Sequence, residues 1–180
     1  MLVYINLDLE KEIYLKIVDE NTIDDRASDT LYSIRKSKKS LEQNIKDKLN
    51  HFIHSNTYSK YLMEPIVTIR DNRYVIPVKD EYRSQISGFV HDISSSGSTV
   101  FIEPTSIFDM NNEINTLKIK ENIEIEKILG ILTNKLSAYV SELENNVRLL
   151  GIIDLIFAKA NYSISINGIS PKINDKKEFN

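Results

Sequence analysis

His91 and Asp92 stand just before the hydroxyl run Ser94-Ser95-Ser96-Gly97-Ser98, so residue types alone offer a base, an acid and nucleophiles. Nucleophilic catalysis needs the three groups to converge, and no Gly-x-Ser-x-Gly strand-turn-helix elbow accompanies them. Adjacent strand residues point to opposite faces, so His91 and Asp92 have no simple way to orient one another. A hydroxyl-rich turn is the plainer reading. His51 and His54 lie three apart on one helical face without a third ligand in view, and no metal site is expected there. No Gly-x-x-x-x-Gly-Lys-Ser/Thr loop occurs, so this stretch holds no phosphate cradle of the ATPase type. With no cysteine, disulfides, thiolate metal sites and thiol catalysis are excluded.

Basic residues make the more telling pattern. A two-residue turn at Asp71-Asn72 sets Arg70 opposite Arg73 and Thr68 opposite Val75, all on one face of a hairpin. Like charges directly opposite cost a fraction of a kcal/mol, a cost that a bound anion removes. Lys79, Arg83 and His91 extend that patch, and Arg35, Lys38 and Lys39 start a second one, which Lys46 and Lys48 continue. The competing reading is that Asp71 or Glu64 neutralises the hairpin pair. From Arg26 to Lys60 there are eight Lys/Arg against three acids, and from Ser106 to Leu150 five against seven. The modest reading is attraction between two antiparallel helices; the sharper one is a basic stripe for phosphates. A net charge of −3 does not exclude a nucleic-acid binder when charge is this unevenly spread.

Elements that position these residues follow from periodicity. Hydrophobes recur at Leu31, Ile34, Leu41, Ile45, Leu49 and Phe52, and again from Ile107 through Ile114, Ile128, Leu132 and Val140 to Val147. Steps of three, four and seven predict helices over about Arg26–Ser55 and Ser106–Arg148, each burying one stripe. Lys38 falls within the first stripe and weakens it. Strands are expected at Val67–Arg70, Tyr74–Lys79, Phe89–Ile93 and Thr99–Glu103. A short amphipathic helix over Asp8–Val18 precedes them, Asp24 or Asp25 is available to cap the next helix, and Gly151 marks a possible kink. Ile152–Tyr162 is apolar nearly all round, which predicts a buried helix, with Leu150–Ala160 expected against Leu9–Ile17 or in part against a second copy of the chain.

The expected fold is mainly α with a small β insertion. A long antiparallel two-helix arm carries an about four-stranded antiparallel β tip, with short core helices at the base. Residues 1–26 and 148–166 form the core edge, 27–62 and 106–147 the levers, 63–105 the tip and 167–180 an exposed link. No apolar run approaches the roughly 20 residues that span a bilayer, and no leader pattern opens the chain, so cytoplasmic residence without membrane contact is expected.

Four stretches taken together resemble the second branch of the MutS ATPases, the MutS-two family. They are ASDTLYSIR (Ala27 to Arg35), the run EPIVTIRDNRYVIPVKDEYRSQISGFVHDISSSGSTVFIEP (Glu64 to Pro104), NNEINTLKIKENIEIEKIL (Asn111 to Leu129) and DLIFAKANYS (Asp154 to Ser163). The resemblance implies a lever-and-clamp segment upstream of an ATPase and a small MutS-related nuclease domain. It implies a homodimer using ATP and Mg in the full-length protein, with no cofactor and no catalytic residue in this chain. The implied partners are branched DNA or the ribosome and its RNA, in suppression of recombination or rescue of ribosomes. A second class stays open: a structural coiled-coil hairpin for dimerisation or chaperone-like binding, with no nucleic-acid role.

Overall fold

The structure, a computed structural model, describes residues 3–169. They fall into two compact units, one of Glu12–Ile131 and one of residues 3–11 with 132–169.

In the larger unit, the end of helix α1 (Leu7–Lys16) leads into a small hairpin of β1 (Ile17–Asp19) and β2 (Thr22–Ile23). Helix α2 (Asp29–Ile53) is capped by Ser28, whose Oγ accepts from the Leu31 amide at 3.0 Å. Asp24, expected as the cap of this helix, instead caps the 3-10 turn Asp25–Ala27 by accepting from the Arg26 amide at 2.7 Å. Strands β3 (Thr68–Arg70), β4 (Arg73–Lys79), β5 (Gly88–Ile93) and β6 (Thr99–Pro104) make one antiparallel sheet in the order β3-β4-β6-β5. Asp71 and Asn72 close the first hairpin with φ of 47° and 62°, the left-handed pair that a two-residue turn requires. In β5, Gly88 passes so close to β6 that an added Cβ would lie 2.2 Å from the Glu103 carbonyl oxygen. Only glycine fits there.

The sheet's apolar face carries Tyr74, Ile76, Val78, Val100 and Ile102. It packs with Ile45, Leu49 and Ile53 of α2 and with Ile107 and Ile114, at and just beyond the start of helix α3 (Phe108–Ser137). Truncating a fully buried member such as Leu49 to alanine costs about 2–5 kcal/mol by lost transfer energy and cavity.

The expected two-helix arm with a β tip is therefore corrected. The described residues hold four α-helices, four 3-10 turns and two antiparallel sheets, of two and four strands. The four-stranded sheet is the centre of the larger unit's core, not a cap on the far end of an arm. The stripe on α2 is narrow, and the sheet face offers it a broader apolar surface than a second helix does. Where α2 and α3 do meet, Ser28 Oγ reaches Glu124 at 2.9 Å and Arg35 Nε reaches Glu121 at 2.7 Å, so polar links join them there.

The returning helix is two helices. It breaks at Ala138-Tyr139, and α4 (Val140–Ser165) then runs unbroken through Gly151. In the smaller unit Asn146 exchanges hydrogen bonds of 2.9 and 2.8 Å with the Tyr4 backbone, and the Tyr4 and Tyr139 rings stack at 5.4 Å. Burial of Ile152–Tyr162 against Leu9–Ile17 does not occur: Leu155 is 54 % exposed, Phe157 65 % and Leu15 73 %. An all-round apolar helix is buried only where enough surface surrounds it, and the described residues of this chain do not supply that surface. The expected link at 167–180 lies mostly outside the described residues.

Candidate nucleic-acid interface and the carboxylate beneath it

β4 and β6 pair Pro77 with Phe101, so Val75, Phe101 and Glu103 share the sheet face opposite the apolar core. Arg70 does lie opposite Arg73, and Thr68 opposite Val75. The cost assigned to that arginine pair is already offset inside the protein, and by neither Asp71 nor Glu64. Arg70 Nε meets Asp92 Oδ2 at 3.1 Å while its guanidinium stacks 4.1 Å from the Phe101 ring centroid. Arg73 Nη1 donates to Glu103 Oε1 at 2.8 Å and Oε2 at 3.0 Å, and its Nη2 donates to Asn112 Oδ1.

Glu103 is fully buried, and each of its oxygens is satisfied. Beyond Arg73, its Oε2 is 2.5 Å from His91 Nε2, and Oε1 accepts from Asn111 Nδ2 at 2.7 Å. Asn111 also bonds both backbone groups of Tyr74 at 3.1 Å. One carboxylate thus ties β4, β5 and β6 to the first turn of α3. A buried charge is tolerated only when paired and hydrogen-bonded on this scale. His91 reaches it because β5 bulges between Val90 and Asp92, where the register shifts against β6. The bulge places His91 and Asp92 both in use on the same side, which strict alternation had forbidden.

The remaining candidates are scattered. Lys79 Nζ donates to the Lys60 carbonyl at 3.2 Å and lies 5.9 Å from the Tyr82 ring. Arg83 sits in the 3-10 turn Asp80–Gln85. Arg35 donates to Glu121 at 2.7 Å, to Asp25 at 2.5 Å and to the Ile23 carbonyl at 2.8 Å, and Lys38 also pairs with Glu121. Burial pushes the Glu121 carboxyl up, but hydrogen bonds from Lys38 and Arg35 outweigh it and hold it below the usual glutamate value. Lys38 thus strengthens the contact it was expected to weaken. Lys39 is exposed, as are Lys36, Lys46 and Lys48, and none of the ion pairs among the described residues involves any of the four.

Sequence reasoning missed Glu103, Asn111, Asn112, Glu121 and Asp92 as organisers. A signal was present for Glu103, a carboxylate on the Phe101 face of a strand whose other residues are almost all apolar. No described group of three or more His, Cys, Asp or Glu is placed to hold a metal. No described helix is long and apolar enough to cross a membrane.

The larger unit is a helical module organised round a polar-locked β-sheet, with cations but no assembled catalytic cluster among its described residues. No protein-family model matches the chain. Over 97 % of its length it is 51 % identical to the endonuclease MutS2 of Acetivibrio thermocellus, and over 98 % it is 45 % identical to that of Clostridioides difficile. Over 93 % it is 47 % identical to the putative endonuclease MutS2 of Bacillus subtilis. The chain is MutS2-like over nearly all of its length, and it spans about a fifth of the length of these curated relatives, 21–22 %.

Proposed function

We propose that this chain is the lever-and-clamp segment of a MutS2-type protein, binding DNA or ribosomal RNA and passing that engagement to an ATPase elsewhere in the polypeptide. The reading extends to a homodimeric, cytoplasmic whole protein using ATP and Mg, with endonuclease activity as its relatives' names state, in suppression of recombination or ribosome rescue. No nucleotide step is assigned to this chain, which lacks a phosphate-binding loop.

The observation that supports it is the Glu103 network. It fastens the sheet to the first turn of α3, a helix of 30 residues that extends about 45 Å at 1.5 Å per residue. A load on the sheet therefore moves α3 and is not absorbed by a loose joint. The test is ATP hydrolysis by the full-length protein with and without DNA duplexes or ribosomes. The double change Asn111→Ala with Asn112→Ala, which removes the α3 hydrogen bonds of the joint, should retain basal turnover and lose most of the stimulation; Asn111→Ala alone should lose part of it. Wild-type stimulation in a folded double variant would overturn the coupling. An absence of any nucleic-acid binding by the wild type would favour the structural hairpin instead.

A further inference from the structure

The cations of the larger unit divide into those already matched by carboxylates and those facing solvent alone. We propose that one exposed flank of α2, through Lys36, Lys39 and Lys46, is the surface that contacts a nucleic-acid phosphate backbone. This rests on the reading that the chain binds nucleic acid, and it moves the contact away from Arg70 and Arg73.

Three observations carry it. Arg35, Lys38, Arg70 and Arg73 are each held by Glu121, Asp92 or Glu103, so an external phosphate would have to displace an internal carboxylate. Lys36, Lys39, Lys46 and Lys48 are exposed and have no such competitor. At 100° per residue, Lys39 and Lys46 project within about 20° of each other and Lys36 about 60–80° away. On the same count Lys46 lies about 60°, Lys39 about 80° and Lys36 about 140° from the middle of the buried stripe of Leu31, Ile45, Leu49 and Ile53, so the three follow one flank of it, and each is exposed. Their line spans about 15 Å of helix, with the amides of Gln43 and Asn50 between them and beyond.

Two acids of α2 lie nearby, and neither forms an ion pair with the three lysines. The charge of Glu42 reaches the Tyr74 phenol, which burial first and this carboxylate second push up. Asp47 accepts from Gln43 Nε2 at 2.9 Å. A row of flexible, strongly hydrated ammonium groups suits phosphates as point charges and carries no base readout, so the contact is sequence-independent.

The experiment is a salt titration of the full-length protein on a mixed-sequence DNA duplex and on an RNA duplex, between about 50 and 200 mM salt. The triple variant Lys36→Gln, Lys39→Gln, Lys46→Gln should bind roughly tenfold or more weakly. It should flatten the slope of log affinity against log salt by about 2–3, near 0.9 per lost phosphate contact. Arg70→Gln should keep the wild-type slope. The matching Lys→Arg triple, which preserves charge, should do so too and guards against a folding defect. A wild-type slope in the Lys→Gln triple, or a loss confined to Arg70→Gln, overturns this site while leaving nucleic-acid binding intact. Absence of wild-type binding to either duplex overturns both this site and the reading it rests on. Preferential binding of the wild type to phosphatidylserine vesicles over both duplexes also overturns it.

Discussion

In the β3–β4 hairpin each arginine lies against a carboxylate, whereas along one flank of α2 three exposed lysines take part in none of the ion pairs among the described residues. Both regions look alike as charge on a sequence. They differ because the hairpin lies beside β6, which carries Glu103, and Arg70 reaches across the Phe101 ring of β6 to Asp92 of β5, whereas no ion pair among the described residues involves Lys36, Lys39 or Lys46. Positive charge inside a network holds elements together; positive charge without a partner is available to something else. Even within the hairpin the two arginines diverge, since Glu103 is fully buried and Asp92 is 47 % exposed at its side chain.

That contrast can be broken by mutation. Arg73→Ala should cost about 3–5 kcal/mol in denaturant unfolding, because it strands a buried carboxylate without its guanidinium. A loss under about 1 kcal/mol would mean that Glu103 needs only His91 and Asn111. Glu121→Gln should cost about 1.5–3 kcal/mol near neutral pH, the range for hydrogen bonds to charged groups.

The same glutamate sharpens the comparison through pH. Its carboxyl is held below the ordinary unfolded value of about 4.3. The stability it contributes is therefore complete above that value and is lost as pH falls through the lower folded one. Thermal melts from neutral to acid pH should show the wild type and Glu121→Gln converging at low pH; parallel curves throughout would refute the ion-pair role. Arg70→Ala should cost less than about 1 kcal/mol, as an exposed pair does, measured in the same unfolding assay. The Lys36, Lys39 and Lys46 substitutions should stay within about 0.5 kcal/mol of wild type, and a larger loss would show that this face has an internal partner.

Much of the larger unit was legible residue by residue. The left-handed turn at Asp71-Asn72, the Arg70–Arg73 and Thr68–Val75 register and the apolar face of β4 all follow from alternation and turn chemistry, which act over a few residues. Helix ends were less legible, because Asp24 and Ser28 are both competent caps and local sequence does not choose between them. The break at Ala138-Tyr139 was hidden behind Gly130 and Gly151, since neither glycine interrupts a helix whose neighbours keep their hydrogen bonds.

What side chains and their spacing carry unaided is the helix over α2, the four strands of the larger sheet and the surplus of positive charge on α2; the quoted stretches add the resemblance to MutS2 proteins. What they do not carry is which charges cancel. Glu103 meets Arg73 across 30 positions of chain, and Glu121 meets Arg35 across 86. Such pairs come together only when the sheet docks on its helices, because Coulomb energy depends on distance and burial in space, neither of which local periodicity encodes. In the smaller unit α4 is exposed along most of its apolar length, because burial depends on the surfaces that surround a helix as well as on its composition.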